Sequence, residues 1–192
     1  VYDVTYGIVR NDEDTVVLLD DSIVRGTTLK ESIINILSKL FPKKIIIVSS
    51  APQIRYPDCY GIDMSVMKSF VAFQAMIELC EEMGKEDFIE EIYERCKAQE
   101  DLPKEEMVNH VKELYAMFTD KQISDRIAAI VRPANLKYEL EVLFQTIEGL
   151  HLACPENLGD WYFSGDYPTP GGTKVVNKAF INYMEKSSER AY

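Results

Sequence analysis

The sequence predicts an α/β fold in which part of a parallel sheet is followed by an α-helical bundle. Three observations predict it. Val16 to Leu19 and Lys44 to Ser49 are short aliphatic runs without alternation, the pattern of strands covered on both faces of a parallel sheet. Leu29 to Leu40 carries a helical pattern between them and serves as the crossover. From Ser65 onward, repeated three-to-four spacings replace the strand-like runs.

Taken in order, Val1 to Arg10 alternates weakly through Val1, Val4, Tyr6 and Ile8 and reads as one more strand, ending at the acidic turn Asn11 to Asp14. In the bundle, Val66, Phe70, Phe73, Ile77 and Cys80 line one helix, and Phe88, Ile89, Ile92, Tyr93 and Cys96 a second. Pro103 opens a third, with Glu105 and Glu106 in its first turn and Met107, Val111, Leu114, Tyr115 and Phe118 on its buried face. Ile123, Ile127 and Ile130 mark a fourth that Pro133 ends, and Tyr138, Val142, Phe144, Ile147 and Leu150 a fifth. Residues 153–173 are rich in Gly, Pro and aromatics and read as an ordered loop. A last helix on Val175, Val176, Ala179, Phe180 and Tyr183 precedes a polar tail expected to fray. The boundaries fall after residues 64 and 152, giving a sheet segment, a bundle, and an aromatic loop with the last helix.

The chemistry concentrates in VVLLDDSIVRGTT, Val16 to Thr28. A buried strand delivers Asp20 and Asp21 to its C-terminal end, the edge where open α/β sheets bind ligands. Ser22, Ile23, Val24, Arg25, Gly26, Thr27 and Thr28 follow. Gly26 permits a tight turn and close backbone approach, so successive amide N–H groups, with the hydroxyls of Ser22, Thr27 and Thr28, can converge on a phosphate. The aspartates would repel a phosphate. They suit the other end of the ligand, accepting from ribose hydroxyls or holding Mg²⁺ beside a pyrophosphate. Thr28 with Glu31 also fits a helix capping box, which explains part of the pattern but not the acidic pair.

These residues resemble the phosphoribosylpyrophosphate (PRPP) loop of type I phosphoribosyltransferases. SSAPQIRYPDCYGIDM (Ser49 to Met64) and FSGDYPT (Phe163 to Thr169) are similar to stretches of the glutamine PRPP amidotransferases, the amidophosphoribosyltransferases. The resemblance implies a C-terminal fragment: residues 1–64 as the end of a phosphoribosyltransferase domain, with a glutaminase and the rest of that domain as missing N-terminal partners. It also implies Asp20 to Thr28 as the PRPP site, Asp20 and Asp21 as metal ligands, Mg²⁺ as cofactor, and nucleotide monophosphates as further ligands. The parent would hydrolyse glutamine and use the ammonia to displace pyrophosphate from PRPP, making phosphoribosylamine in de novo purine synthesis. The fragment alone would be inactive, with no catalytic residue beyond the loop. Asp63 and Met64 would lie near the ammonia route, and the parent is expected to be a homo-oligomer. A non-catalytic PRPP-sensing or assembly module, or a salvage phosphoribosyltransferase, stands as the alternative.

Some members of that family hold an iron–sulfur cluster partly through a CxxC near the FSG stretch. Here Cys154 stands alone and Cys59 is offset by one residue from a ligand position, so no cluster is expected. Cys80 and Cys96 read as reduced structural thiols, and His110 and His151 as ordinary surface or helix-end histidines. Arg55 and Tyr56 fit a substrate contact and a loop anchor equally well. With 21 basic against 32 acidic residues the net charge is −11, and no local basic patch is visible in the sequence, which argues against nucleic acid. Apolar runs are too short to span a membrane, and no signal pattern opens the chain, so the expected location is cytoplasmic.

Overall fold

The computed structural model describes Thr5 and residues 7–60 and 64–191. Strands β1 (Thr15–Asp20), β2 (Lys44–Ser49) and β3 (Glu139–Phe144) form one parallel sheet in the order β1-β2-β3. The register sets Val16 beside Ile45 and Ile45 beside Leu140. Two residues on, Leu18, Ile47 and Val142 align in the same way. These six side chains point to one face, and there Ile45, Ile47 and Val142 are buried. Each fully buried isoleucine contributes about 1.5–3 kcal/mol by leaving water.

A π-helical turn, Leu29–Ile33, runs into α1 (Ile34–Ser38), and together they cross from β1 to β2. The connection from β2 to β3 is long. It carries α2 (Val71–Glu82), α3 (Glu86–Lys97), α4 (Val111–Tyr115) and α5 (Asp120–Val131), with α5 packed on β3 and α2 on α5. After β3 come α6 (Ile147–Ala153), α7 (Trp161–Ser164) and α8 (Pro170–Met184). Phe73 meets Tyr183 edge-on at 4.8 Å between ring centroids, tying α2 to α8. No helix among the described residues is long and apolar enough to cross a membrane.

Several sequence expectations need correction. Residues 138–144 are not a helix: ELEVLF is β3, because Leu140 and Val142 alternate inward while a free edge of β2 waits to be paired. The helix expected from Pro103 is broken into a 3₁₀ turn, Lys104–Glu106, and the short α4. Met107 between them is extended, at φ −71° and ψ 140°. The strand expected over 1–10 falls partly on residues 1–4 and 6, outside the described residues, and residues 7–9 form a turn and bend. The tail does not fray at 189–191. Glu189 O accepts from Asn182 Nδ2 at 3.0 Å, and Ala191 is buried.

The sheet is also not covered on both faces. Val17 is 60% exposed, Leu19 71% and Leu143 43%; with Ile46 and Val48 they form an apolar face that no described residue covers. Lys44 bridges Glu139 and Glu141 at 2.8 and 2.6 Å at one end of it. Topology accounts for this: both crossovers step the same way across the sheet, and right-handed crossovers then lie on the same side.

Candidate functional site

The loop after β1 is built from the core outward. Asp20 ends the strand, and the chain is then tied to the neighbouring loop, as Ser50 N donates to Asp20 O at 2.9 Å and Ala51 N to Asp21 O at 3.0 Å. Ile23 plunges into the core, and Val24 O accepts from Val71 N at 2.8 Å, fixing the loop against the start of α2. Gly26 then takes φ +71°, a conformation that suits glycine, with its α-carbon face against α5: an added Cβ would lie 2.8 Å from Val131 Cγ1. Thr27 and Thr28 start the helical segment and are exposed.

Residues Asp20, Ser22 to Leu29, Ile33 and Met64 enclose a cavity of about 420 Å³ at the carboxyl end of β1. The structure therefore brings together Asp20 and Ser22 to Thr28. Asp21 is exposed and does not line this cavity, and Ile23 can offer only its backbone. Among the described residues no acceptor engages the N–H groups of Gly26, Thr27 or Thr28, which is what an anion cradle requires. The expected capping box is absent. Thr28 is itself helical, at φ −60° and ψ −39°, and its side chain caps nothing, so its hydroxyl is not used in that way.

Each aspartate spends one oxygen locally. Asp20 Oδ1 accepts from Asp21 N at 3.0 Å and Asp21 Oδ1 from Ser22 N at 2.7 Å, leaving the Oδ2 atoms of a hard, all-oxygen donor pair. Mg²⁺ is commonly held by one or two such carboxylates together with substrate phosphates, and of these two Asp20 lines the cavity while Asp21 does not. Among the described residues, no group of three or more His, Cys, Asp or Glu converges to hold a metal by itself.

A second loop, residues 51–60, stands beside the first, and the aromatic segment clamps it. Tyr162 O accepts from Arg55 N at 2.9 Å and Tyr56 N at 3.1 Å, and Tyr162 Oη donates to the buried Asp58 Oδ1 at 2.6 Å. Tyr167 Oη donates to Pro57 O. Gly165, at φ +76°, lies so close to the Tyr56 ring that an added Cβ would be 2.8 Å from it. Burial, and then the bond to Asp58, push the Tyr162 phenol up to about 12. Arg55 is an anchor here: its guanidinium bonds Gln53 Oε1 and Asp120 Oδ1 and lies 5.3 Å over the Tyr115 ring. Tyr56 is buried against the same ring. Cys59 is half-buried, and desolvation raises its thiol. Of the two residues expected near an ammonia route, Asp63 lies outside the described residues and Met64 lines the first cavity. Sequence reasoning missed Asp58, a buried carboxylate whose donor Tyr162 lies 104 positions away.

A parallel α/β sheet with a glycine-turned loop and a carboxylate pair at the carboxyl end of its first strand places this chain among the open-sheet proteins whose ligands sit at that edge. Comparison with known proteins is more specific. No family model matches the chain. Over 78 residues, 40% of the chain, it is 42% identical to an amidophosphoribosyltransferase of Haemophilus influenzae, covering 15% of that protein. With the amidophosphoribosyltransferase of Escherichia coli it is 47% identical over 60 residues, 31% of the chain and 12% of the relative. With that of Saccharomyces cerevisiae it is 40% identical over 87 residues, 43% of the chain and 17% of the relative. The chain is thus recognised as amidophosphoribosyltransferase-like, matching a C-terminal part of those proteins and only about 12–17% of their length.

Proposed function

We propose that this chain is the PRPP-binding part of a glutamine-dependent amidophosphoribosyltransferase. The observation that carries the reading is the cavity at the end of β1, in which Asp20 and the 22–28 loop face one space. In this reading the N–H groups of Gly26, Thr27 and Thr28, with the exposed threonine hydroxyls, bind the 5′-phosphate. Asp20 accepts from a ribose hydroxyl, and Asp20 together with Asp21, which lies outside the cavity, would hold Mg²⁺. Bound there, Mg²⁺ would neutralise charge on the departing pyrophosphate. The protein's own work is positioning: a ligand held at both ends presents C1 in a fixed direction to an incoming ammonia molecule. Asp20 also offsets positive charge developing on the ribose.

The parent's reaction in purine synthesis, its glutaminase and its assembly into oligomers belong to this proposal. The uncovered apolar face supports its need for further polypeptide, since parallel sheets are ordinarily buried on both sides. Calorimetric titration of the chain with PRPP, with and without Mg²⁺, tests the site. Saturable binding that weakens without Mg²⁺ is the expected result. In the full-length protein, Asp20→Ala with Asp21→Ala is expected to abolish PRPP turnover, and retained turnover would remove their assigned role.

A further inference from the structure

We propose that the cleft between α3, α8 and the returning tail binds a small organic anion with an apolar body. The cleft has a volume of about 840 Å³, within the ordinary range for small-molecule sites, and shares no residue with the cavity at the end of β1. Its floor is apolar: Val175, Ile181 and Ala191 line it and are buried. Its walls are cationic. Lys97, Lys104, Lys174, Lys178 and Arg190 come together from distant parts of the sequence, with only Glu100 and Asp101 as acidic lining residues.

Two of those cations are already engaged. Lys97 Nζ lies 2.6 Å from Glu185 Oε1, and Lys178 Nζ lies 3.1 Å from Glu100 Oε1. Lys104, Lys174 and Arg190 have no carboxylate partner among the described residues, although the chain as a whole carries 32 acidic side chains against 21 basic ones. A concave, partly apolar wall focuses their field, so the cleft attracts an anion although the net charge of the chain is −11. Gly171 at its edge has open space around it, so the wall there is main chain with no side chain in a ligand's way. The cationic walls select charge, and the floor selects an aromatic or aliphatic body. Bare phosphate uses only half of what is offered.

The test is titration of the 192-residue chain, followed by two-dimensional amide NMR, with phenyl phosphate as the anion bearing an apolar body. Inorganic phosphate and phenol are the two half-ligands. Phenyl phosphate is expected to bind at least roughly tenfold more tightly than either half. Its shifts should map to 96–107, 171–181 and 190–191, and its affinity should fall as salt is raised. Lys174→Glu with Arg190→Glu, both on exposed positions, is expected to weaken it by roughly tenfold or more. The neutral pair Lys174→Gln with Arg190→Gln should show the same direction with a smaller loss and guards against misfolding of the charge-reversed chain. Absence of binding, shifts confined to 20–28, equal binding of inorganic phosphate, or affinity indifferent to both variant pairs would each overturn the inference. Shifts confined to 20–28 would leave the PRPP reading intact.

Discussion

Gly26→Ala probes the loop at the point where conformation and packing meet. The residue adopts φ +71°, and an alanine forced there costs about 1–2 kcal/mol from backbone sterics alone. Its new methyl would also stand 2.8 Å from Val131 Cγ1 and 3.4 Å from Val71 Cγ2, and both side chains belong to elements packed in the core. Overpacking of this kind costs about 1–3 kcal/mol. Gly84 supplies the control: it has φ +63° and nothing within 4 Å of an added Cβ. Gly84→Ala carries the conformational cost and the same change in unfolded-chain freedom, so the difference between the two variants isolates the steric contribution. Urea unfolding followed by circular dichroism should show Gly26→Ala less stable than Gly84→Ala by about 1–3 kcal/mol. Calorimetry should show weaker PRPP binding for Gly26→Ala alone. Equal losses in the two variants would refute the claim that the loop turns where it does because it is pressed against α5.

Further outcomes follow from the clamp and from the helix ends. Tyr162→Phe removes the phenol that donates to the buried Asp58 Oδ1 and should cost about 1–3 kcal/mol, read from the thermal midpoint. The raised Tyr162 pKa sets an alkaline limit: a phenol held neutral by the fold contributes stability that is present below pH 10 and lost as pH rises through about 12. The part of the tyrosinate absorbance that Tyr162→Phe removes should therefore grow in step with loss of tertiary signal above pH 10, and its appearance in an intact fold near pH 10 would contradict the raised pKa. Thr119 caps α5 in a full box with Gln122, so Thr119→Ala should cost about 0.5–2 kcal/mol in the same urea assay.

The 16–28 unit was legible because its determinants are local: an aliphatic run, a carboxylate pair and one glycine are read in the order in which they act. The crossover to β2 and helices α2, α3, α5 and α8 were legible for the same reason, each showing its apolar stripe within its own length. β3 was misread because Phe144, Ile147 and Leu150 continue a three-residue spacing across the strand end into α6, and only the free edge of β2 decides in favour of extension. Coverage of the sheet was misread because composition reports that Val17 and Leu19 are apolar, while crossover geometry decides whether anything lies above them. Asp58, Arg55 and the cationic cleft depend on partners tens of positions away, and no local pattern announces them.

The uncovered sheet face gives substitutions at Val17, Leu19 and Val48 a sign that depends on context. In the isolated chain, a threonine or glutamate there removes oily surface from water contact and should raise solubility without loss of fold. In any longer polypeptide that lays a second layer over those strands, the same replacements strand a polar group in a dry seam. A mutational scan carried out on both forms would find these codons tolerant in one and forbidden in the other, and the positions whose fitness inverts would trace the buried seam without a second set of coordinates.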